Sequence, residues 1–282
     1  MLFRLHFIRF LFFSLALLGA GSPAFAQNEF STKHDSINWV DSKGMKQGKF
    51  RKTDKDGKPI YEGYFRNDKP YGKFRYFDED GKLTAVSVFS KDAKSCNTTM
   101  YHRNGAVWAK GKYVGHDSVW KRDSVWTIYS SDTLLVSRDS YKLNKKNGLC
   151  ITYFSTGIVA EQTTFKDGKK DGTWKEFYPD GQLYGEGTYV NDCNEGIFNY
   201  YCAEGQLRIQ GPYHNCLKHG QWIFYKCGSQ KPDHIIIYKN GEAIKGGLDV
   251  DKLEKEGLEQ FKDRNEQEHM GGPGKEDKDG GN

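Results

Sequence analysis

The chain has 282 residues, with 42 Lys and Arg against 37 Asp and Glu, so its formal net charge is only +5. A balance this even argues against a nucleic-acid-binding protein, which needs a clear excess of basic residues. Aromatic residues make up 15% of the chain and glycine occupies 32 positions, a composition that suits β-strands joined by tight turns.

Residues 1–26 have the pattern of a secretory signal. Arg4 and Arg9 form a basic start, Phe10–Leu18 is too short an apolar stretch for a permanent membrane anchor, and Ala24-Phe25-Ala26 is an A-x-A cleavage site. We therefore expect cleavage after Ala26 and export to the periplasm, the cell envelope or the exterior. No cysteine follows the cleavage site, which disfavours a lipoprotein, and no segment of the mature chain is apolar enough to cross a membrane.

Residues 27–43 are predicted to form an N-terminal segment that ends in a capping strand. The first ten of these residues are polar and are expected to be disordered. Ile37–Val40 has the composition of a lone strand, and repeat arrays need such a cap because their end faces are otherwise bare.

Residues 44–245 form an array of repeats with a period of 24 residues, broken once by a four-residue shift within Gly115–Trp126. The first residue of each unit, numbered position 0 below, is Gly48, Gly72, Cys96, Ser124, Gly148, Gly172, Gly196 or Gly220. Position 9 is glycine in six of the eight units. A fixed period of this length is typical of an array in which each unit packs only on its neighbours.

Three columns of aromatic residues confirm this alignment of the units. Position 2 holds Phe50, Phe74, Thr98, Trp126, Cys150, Trp174, Phe198 and Trp222. Position 5 holds Thr53, Phe77, Tyr101, Tyr129, Tyr153, Phe177, Tyr201 and Tyr225. Position 17 holds Phe65, Phe89, Tyr113, Tyr141, Phe165, Tyr189, Tyr213 and Ile237.

Each unit is predicted to be one β-hairpin. In the sixth unit, Trp174–Tyr178 and Gln182–Val190 are strand-like, and Pro179-Asp180-Gly181 between them is a turn signal. Gly185 and Gly187 interrupt the second strand, and we expect a neighbouring aromatic ring to lie over their bare backbone. Eight hairpins give an all-β fold, an elongated single-layer antiparallel β-meander about 75 Å long, in which ring-to-ring packing replaces a closed core.

The unit from Gly172 to Tyr189 has the pattern GxWxxYxxxGxLxxxGxY and resembles the bacterial variant of the MORN repeat family. The resemblance implies a meander with one hairpin per repeat, contacts with proteins or membrane surfaces, and no family-wide catalytic residue. Some relatives are described as antitoxin-like on sequence similarity alone. The third unit has Cys96 and Thr98 in place of glycine and an aromatic residue, and the fourth lacks its turn glycine at Asp132-Thr133, so irregular hairpins are expected there.

Residues 246–282 follow the array. Asp249–Asn265 has helical composition and predicts a short helix that caps the eighth unit, although Gly257 interrupts it. The residues from Met270 onward predict a flexible polar tail.

Two clusters could suggest chemistry. His214, Cys216 and His219, with Cys193 one unit away, have spacings that a zinc site could use, but loop residues that include a disulfide are the simpler interpretation. Asp78-Glu79-Asp80 could suggest glycosidase or calcium chemistry, but these residues lie where a turn needs aspartate. Nucleophile-elbow and phosphate-loop motifs are absent from the sequence. We therefore predict no catalytic residue, no metal site and no cofactor.

The aromatic columns are the feature with a functional alternative. The candidate binding residues are Trp126, Trp174, Phe198 and Trp222 at position 2, and Tyr129, Tyr153, Tyr201 and Tyr225 at position 5. On an open sheet such columns could bind an extended peptide, a glycan or a lipid surface. They could equally serve to pack the sheet, and the two roles could be divided between its two faces.

The six cysteines predict disulfides, because an exported protein meets an oxidising compartment. Cys193 and Cys216 fall in end loops at one edge of the sheet, and Cys202 and Cys227 fall at the other edge. We expect the pairs Cys193–Cys216 and Cys202–Cys227, with Cys96 and Cys150 not joined to each other. Equivalent points in adjacent hairpins are ~9.6 Å apart, so the loops of each pair would have to lean together.

Three hypotheses for function follow. The first is an exported, non-enzymatic scaffold or binding surface for a partner protein in the cell envelope, with peripheral membrane or glycan contact as an open alternative. The second is an antitoxin-like or immunity-like inhibitor of a partner protein. The third is a carbohydrate-active or glycan-binding surface protein, which would require a pocket with convergent carboxylates or histidines.

Overall fold

The computed structural model describes residues 37–116 and 119–246 of the chain. The signal predicted over residues 1–26, the helix predicted over Asp249–Asn265 and the C-terminal tail lie outside these residues. Within them, no helix is long and apolar enough to cross a membrane.

The described residues form nineteen β-strands, which belong to one sheet. In chain order the strands are β1 (Gly48–Thr53), β2 (Pro59–Arg66), β3 (Lys69–Phe77), β4 (Leu83–Phe89), β5 (Ser95–Tyr101), β6 (Val107–His116), β7 (Val119–Tyr129), β8 (Leu135–Lys142), β9 (Lys145–Lys146), β10 (Gly148–Tyr153), β11 (Val159–Lys166), β12 (Lys169–Phe177), β13 (Leu183–Val190), β14 (Cys193–Tyr201), β15 (Leu207–His214), β16 (Leu217–Lys218), β17 (Gly220–Tyr225), β18 (Pro232–Lys239) and β19 (Glu242–Gly246).

Successive strands pair antiparallel from one end of the sheet to the other, so the topology is a meander. The short strands β9 and β16 directly precede β10 and β17 in the chain. β9 and β10 both pair with β8, and β16 and β17 both pair with β15, so each couple acts as one interrupted strand. The two strands of each predicted unit form one hairpin, and eight hairpins result. The all-β meander of tandem hairpins is therefore confirmed. The sheet also gains a last strand, β19, which extends it beyond the eighth hairpin.

The N-terminal edge of the sheet is covered differently from the prediction. In place of a capping strand over Ile37–Val40, Val40 makes a single antiparallel bridge with Lys46. The covering residue is Asn38, whose side-chain oxygen accepts a hydrogen bond from the Arg51 nitrogen at 2.8 Å and whose side-chain nitrogen donates to the Arg51 oxygen at 3.0 Å. One amide side chain thus occupies backbone groups of the edge strand β1 that another strand would otherwise use.

Each of the first seven hairpins closes through a five-residue turn with the same two backbone hydrogen bonds. In the sixth unit the Tyr178 nitrogen donates to the Gln182 oxygen and the Gly181 nitrogen donates to the Tyr178 oxygen, both at 2.8 Å. In these seven turns position 9 has a positive φ, which glycine adopts without strain, for example +91° at Gly181.

The irregular hairpins expected in the third and fourth units are not found. Thr133 takes the left-handed conformation of the missing glycine, with φ +70°, and the turn keeps its hydrogen bonds from Ser130 to Leu134 and from Thr133 to Ser130. The third unit pairs Ser95–Tyr101 with Val107–Val114 like the others. The prediction was wrong because the surrounding ladder fixes the turn even where its residue type is unfavourable.

Replacing Thr133 by glycine is expected to stabilise the protein by about 0.5–1 kcal/mol. A β-branched residue at positive φ costs about 1–2 kcal/mol, and the extra freedom of glycine in the unfolded chain offsets part of that gain. Urea denaturation of the variant measures the change. Gly157→Ala, at the same turn position one unit later, should have the opposite sign, and stabilisation by both changes would contradict the assignment.

The pleat of the strands and the cross-strand register divide the residues between two faces. We call the face that carries positions 2, 4, 15 and 17 the ladder face, and the face that carries positions 1, 3, 5, 14 and 16 the open face. The register shifts between positions 4 and 5 in every hairpin, with the extra residue on the opposing strand: Glu176 pairs with Gly185 and Phe177 with Leu183. In the eighth unit the turn is one residue longer, so Tyr238 and not Ile237 lies opposite position 0 and completes the position 17 column.

Rings from positions 2 and 17 pack edge to face along the ladder face, alternating from unit to unit. One continuous run joins Trp174, Tyr189, Phe198, Tyr213, Trp222 and Tyr238, with ring-centre distances from 5.0 to 6.4 Å. A second run joins Phe50, Phe65, Phe74 and Phe89 at 4.9 to 5.3 Å. This packing buries aromatic surface without a second layer, and it is the core of the array.

Candidate binding surface

The position 2 column is buried in every unit. Its four candidate binding residues, Trp126, Trp174, Phe198 and Trp222, have exposed fractions between 0% and 7%. Thr98 and Cys150, the two members that are not aromatic, are also buried. These side chains therefore hold adjacent hairpins together and present no ring to a ligand.

Glycines at position 15 make room for these rings. A β-carbon at Gly63, Gly111, Gly187 or Gly211 would overlap the ring at position 2 of the next unit, which is Phe74, Trp126, Phe198 or Trp222 respectively. The expectation that a ring lies over the strand glycines is thereby confirmed for Gly187. Trp174 and Tyr200 also approach the β-carbon position of Gly185, at 3.0 Å each.

The side chain at position 15 and the side chain at position 2 of the next unit are matched in size. Where position 15 carries a side chain, position 2 of the next unit is small: Ser87 hydrogen bonds to Thr98 at 2.8 Å, and Asp139 precedes Cys150. Trp174 is the exception, since it follows Thr163 and its ring reaches the next strand at Gly185. The small residues at position 2 of the third and fifth units are thus matched by larger side chains at position 15 of the preceding units.

A column of cations lies two residues before position 0, also on the ladder face. It is not among the residues predicted from the sequence. Its members stand over the position 17 rings at 4.2 to 5.1 Å: Lys46 over Phe65, Arg122 over Tyr141, Lys146 over Phe165, Lys170 over Tyr189 and Lys218 over Tyr238. Basic residues recur at this position with the period of the repeat, which is the signal that could have identified them. Such contacts stabilise by about 0.5–1 kcal/mol each when exposed.

The position 5 column lies on the other side of the sheet, on the open face. Its tyrosines Tyr129, Tyr153, Tyr201 and Tyr225 are all half-buried. Successive rings are two strands, or ~9.6 Å, apart, and an aliphatic residue such as Leu135 beside Tyr129 or Leu207 beside Tyr201 stands between them. The two aromatic columns that the sequence grouped together therefore have different environments.

Polar groups of the open face hold these tyrosines in place. The Tyr201 hydroxyl donates to Glu186 Oε1 at 2.8 Å, and Glu186 is paired with Lys175 at 3.2 Å. Burial together with this carboxylate raises the pKa of Tyr201 to about 12. Lys110 lies 6.0 Å from the ring centre of Tyr129. The Tyr201 hydroxyl therefore remains a protonated hydrogen-bond donor at neutral pH.

Exposed aliphatic residues accompany the tyrosines on the open face. At position 1 of three units, Val125, Leu149 and Ile197 are 52%, 45% and 53% exposed. Half-buried rings and exposed aliphatic side chains on one face of a sheet form the kind of surface that binds another molecule.

The repeats can now be compared with known families. Residues 146–167 and 170–191, which contain the fifth and sixth hairpins, match the model of the MORN repeat variant. This segment consists of two MORN-variant repeats. No curated protein matches the chain. A crystal structure of a porin-like protein from Bacteroides uniformis aligns with 70% of this chain and 91% of its own at 10% identity, with a TM-score of 0.18, which is too low to show a shared fold.

Two disulfides join the last three hairpins. Cys193 is bonded to Cys216 with a Cα–Cα distance of 4.4 Å, and Cys202 is bonded to Cys227 with a distance of 5.9 Å. The first pair is closer than expected because it continues the β14–β15 register: three residues beyond the pair Gly196 and Tyr213, the two chains bring Cys193 opposite Cys216. The second pair joins the tips of the seventh and eighth hairpins.

Among the described residues, Cys96 and Cys150 are free thiols, and both are buried in the ladder face. Burial raises the pKa of both thiols. A thiol kept protonated and away from solvent is a poor nucleophile.

Reduction of the two disulfides is expected to lower the free energy of unfolding by about 3 kcal/mol for each bond, since each closes a loop of roughly 25 residues. Urea denaturation with and without reductant measures this loss. Non-reducing peptide mapping checks the pairing itself. A peptide linked through Cys193 and Cys202, or through Cys216 and Cys227, would contradict the hairpin register because each would join opposite edges of the sheet.

The zinc alternative is not supported by the arrangement of its four residues. The sulfurs of Cys193 and Cys216 are bonded to each other, and His214 Nδ1 lies 2.9 Å from Glu195 Oε1. Cys202, Glu204 and Cys227 also come together at the opposite edge, but their two sulfurs form the other disulfide. A disulfide sulfur does not replace the thiolate that zinc requires.

The acidic residues considered for glycosidase or calcium chemistry are used by their turn. Asp78 Oδ1 accepts hydrogen bonds from the Asp80 nitrogen at 3.0 Å and from the Lys82 nitrogen at 2.8 Å. Asp54 makes the same two bonds in the preceding unit. Asp80 forms an ion pair with Arg103 of the next hairpin. These carboxylates shape and connect turns.

Proposed function

We propose that this protein is an exported, non-enzymatic repeat scaffold that binds a partner protein in the cell envelope through its open face. The observation that carries the proposal is that the position 2 and position 5 columns lie on opposite faces of the sheet. Position 2 rings are buried in the ladder, whereas Tyr129, Tyr153, Tyr201 and Tyr225 are half-exposed on the other face, where Phe177 fills the position between Tyr153 and Tyr201.

The chemistry of the open face supports binding over catalysis. Tyrosine supplies a large contact area at a low cost in conformational entropy, and Leu149 and Ile197 on the same face can be desolvated by a partner. The MORN-variant repeats of residues 146–191 agree with an interaction role. The acidic groups that a carbohydrate-active enzyme would use are engaged in turns, as at Asp78. An immunity-like inhibitor would be one form of the same binding role.

Site-specific photocrosslinking in cells tests this proposal. A photoreactive phenylalanine analogue at Tyr153, on the open face, is expected to capture a discrete partner. The same analogue at Ser155, on the exposed turn tip of that hairpin, should not capture it. The quadruple variant of Tyr129, Tyr153, Tyr201 and Tyr225 to serine should lose the partner while keeping its fold, as judged by circular dichroism. Equal capture at both sites, or capture that survives the quadruple change, would contradict the proposal.

Export is a separate part of the proposal and rests on the A-x-A pattern at Ala24-Phe25-Ala26. N-terminal sequencing of the protein from the envelope fraction is expected to begin at Gln27. Full-length protein found solely in the cytosol would contradict export and would leave the binding role of the open face to be judged by crosslinking.

A further inference from the structure

The open face is electrically asymmetric along its length. In strands β1–β8 the strand centres place seven cations on this face: Lys49, Arg51, Lys73, Arg75, Lys110, Lys112 and Arg138. The acids beside them are Glu62, which pairs with Arg51, and Asp123, which lies opposite Lys112. In the second half of the sheet the same positions carry one cation, Lys175, and three acids, Asp171, Glu186 and Glu195. We call the first set of seven the basic half.

The cations of the basic half lie in line. Cross-strand pairs place Arg51, Glu62, Arg75, Val86, Thr99, Lys110, Thr127 and Arg138 side by side on successive strands. The row from β1 to β8 is about 34 Å long at the usual strand spacing. Arg75, Lys110 and Arg138 in it are exposed. A row of this kind suits an extended anionic chain, and it raises the local concentration of one.

The chain itself contains such a segment. Residues 247–282, which lie outside the described part, contain eleven Asp and Glu against six Lys and Arg, a net charge of −5. Eight of the eleven acids fall between Asp249 and Glu268. The segment begins where β19 ends, at Gly246.

The segment is long enough to reach the basic half. Lys110 on β6 is eleven strands from β19, or ~53 Å at the usual spacing. Thirty-six extended residues span up to about 119 Å. Because the segment is tethered, its binding is intramolecular, and a weak electrostatic attraction suffices to keep it bound.

We propose that the acidic C-terminal segment, residues 247–282, lies along the basic half of the open face and screens it from other polyanions. The inference is independent of the partner proposed above, because it concerns the charge row of β1–β8 and not the tyrosines. It also differs from a helix that caps the eighth hairpin, and the two arrangements place the segment at opposite ends of the sheet.

Zero-length carbodiimide crosslinking of the purified protein, followed by mass spectrometry, separates the arrangements. The reagent joins a carboxylate to a lysine amine only when the two are in contact. A mixture of isotopically light and heavy protein distinguishes links within one chain from links between two. Lys175 is the internal control, since it lies on the same face and only six strands, or ~29 Å, from β19. Proximity alone would favour Lys175, whereas the proposal favours Lys110 and Lys112.

The expected result is a majority of tail links, within one chain, to Lys49, Lys73, Lys110 and Lys112. These links should fall steeply from about 0.01 M to about 1 M salt, as the Debye length shrinks from about 30 Å to about 3 Å. The double variant Arg75→Glu with Arg138→Glu leaves those lysines in place and should lose the links without loss of thermal stability. Thr173→Glu with Gln221→Glu, which adds negative charge in the second half of the same face, should keep them.

Three outcomes would overturn the proposal. Links concentrated on Lys175 or on Lys226, Lys231 and Lys239 of the eighth hairpin would place the segment near its own origin. Links that persist in the Arg75 and Arg138 variant would show that the charge row does not hold it. Links found only between light and heavy chains would assign the segment to a second copy.

Discussion

Replacing Phe198 by alanine is expected to lower the free energy of unfolding by about 3–5 kcal/mol, the usual cost of removing a fully buried aromatic side chain. Phe198 has an exposed fraction of 0%. Its ring lies 5.0 Å from Tyr213 and 5.8 Å from both Trp174 and Tyr189, so it joins the sixth and seventh hairpins. The cavity would open over the bare backbone of Gly187, where nothing can fill it.

Tyr153→Ala is the matched control for this prediction. It also removes an aromatic ring, but from the half-exposed position 5 column at the end of a strand, and it should cost about 1 kcal/mol. Urea denaturation of both variants measures the difference. Equal losses would show that the two columns share one environment, which is contrary to the structure.

Replacing Gly111 by alanine is expected to destabilise the protein by about 3 kcal/mol, near the upper end of the usual cost of overpacking. The added methyl group would overlap the indole ring of Trp126, which is 2% exposed and donates a hydrogen bond from Nε1 to the Lys112 oxygen at 3.2 Å. Since the sheet fixes both backbones, the ring must leave its position.

Gly115→Ala, on the same strand β6, is the control. A β-carbon there meets its nearest atom, the Lys94 oxygen, at 3.7 Å, which is an ordinary contact, so the change should stay within about 0.5 kcal/mol. The double change Gly111→Ser with Trp126→Thr copies the Ser87 and Thr98 pair of the third unit. It should cost less than the sum of the two single changes, and strict additivity would contradict the size matching of positions 15 and 2.

The architecture could be predicted from the sequence because one signal, the period of 24 residues, fixes the hairpins and the turns together. The glycines at position 9 and the aromatic columns each repeat with that period. A unit that departs from the pattern at one position is therefore still aligned by the others. The eighth unit shows the limit. One extra turn residue moves Tyr238 into the place assigned to Ile237, and such a shift becomes visible only when the cross-strand register is known.

The division between the two faces could not be predicted from the sequence with the same certainty. Positions 2 and 5 are three residues apart and would lie on opposite faces of a regular strand. The register shift between positions 4 and 5 is not visible in the sequence, and only the structure shows that its extra residue lies on the opposing strand and leaves that relation intact. The contacts of Tyr201 with Glu186 and of Lys110 with Tyr129 show which side position 5 occupies. The Asn38 cap was missed because a single side chain leaves no periodic trace.

The packing of Trp120 could not be predicted from the repeat either. It lies outside the three columns and falls within the four-residue shift of the repeat, which gave no reason to place it in the core. In the structure its ring packs against Phe89 at 5.3 Å, beside the small residue Cys96. The inserted residues thus supply an aromatic ring where the third unit lacks its own.

Hydroxyl-radical footprinting of the intact protein tests most directly the claim that the two aromatic columns have opposite roles. Tryptophan is intrinsically at least as reactive as tyrosine, so exposure and not chemistry must account for any protection of the indoles. The structure predicts slow oxidation of Trp126, Trp174 and Trp222, with exposed fractions of 2%, 7% and 2%, and faster oxidation of Tyr129, Tyr153 and Tyr225 on the open face. Rapid oxidation of the three tryptophans with protection of the three tyrosines would contradict the account.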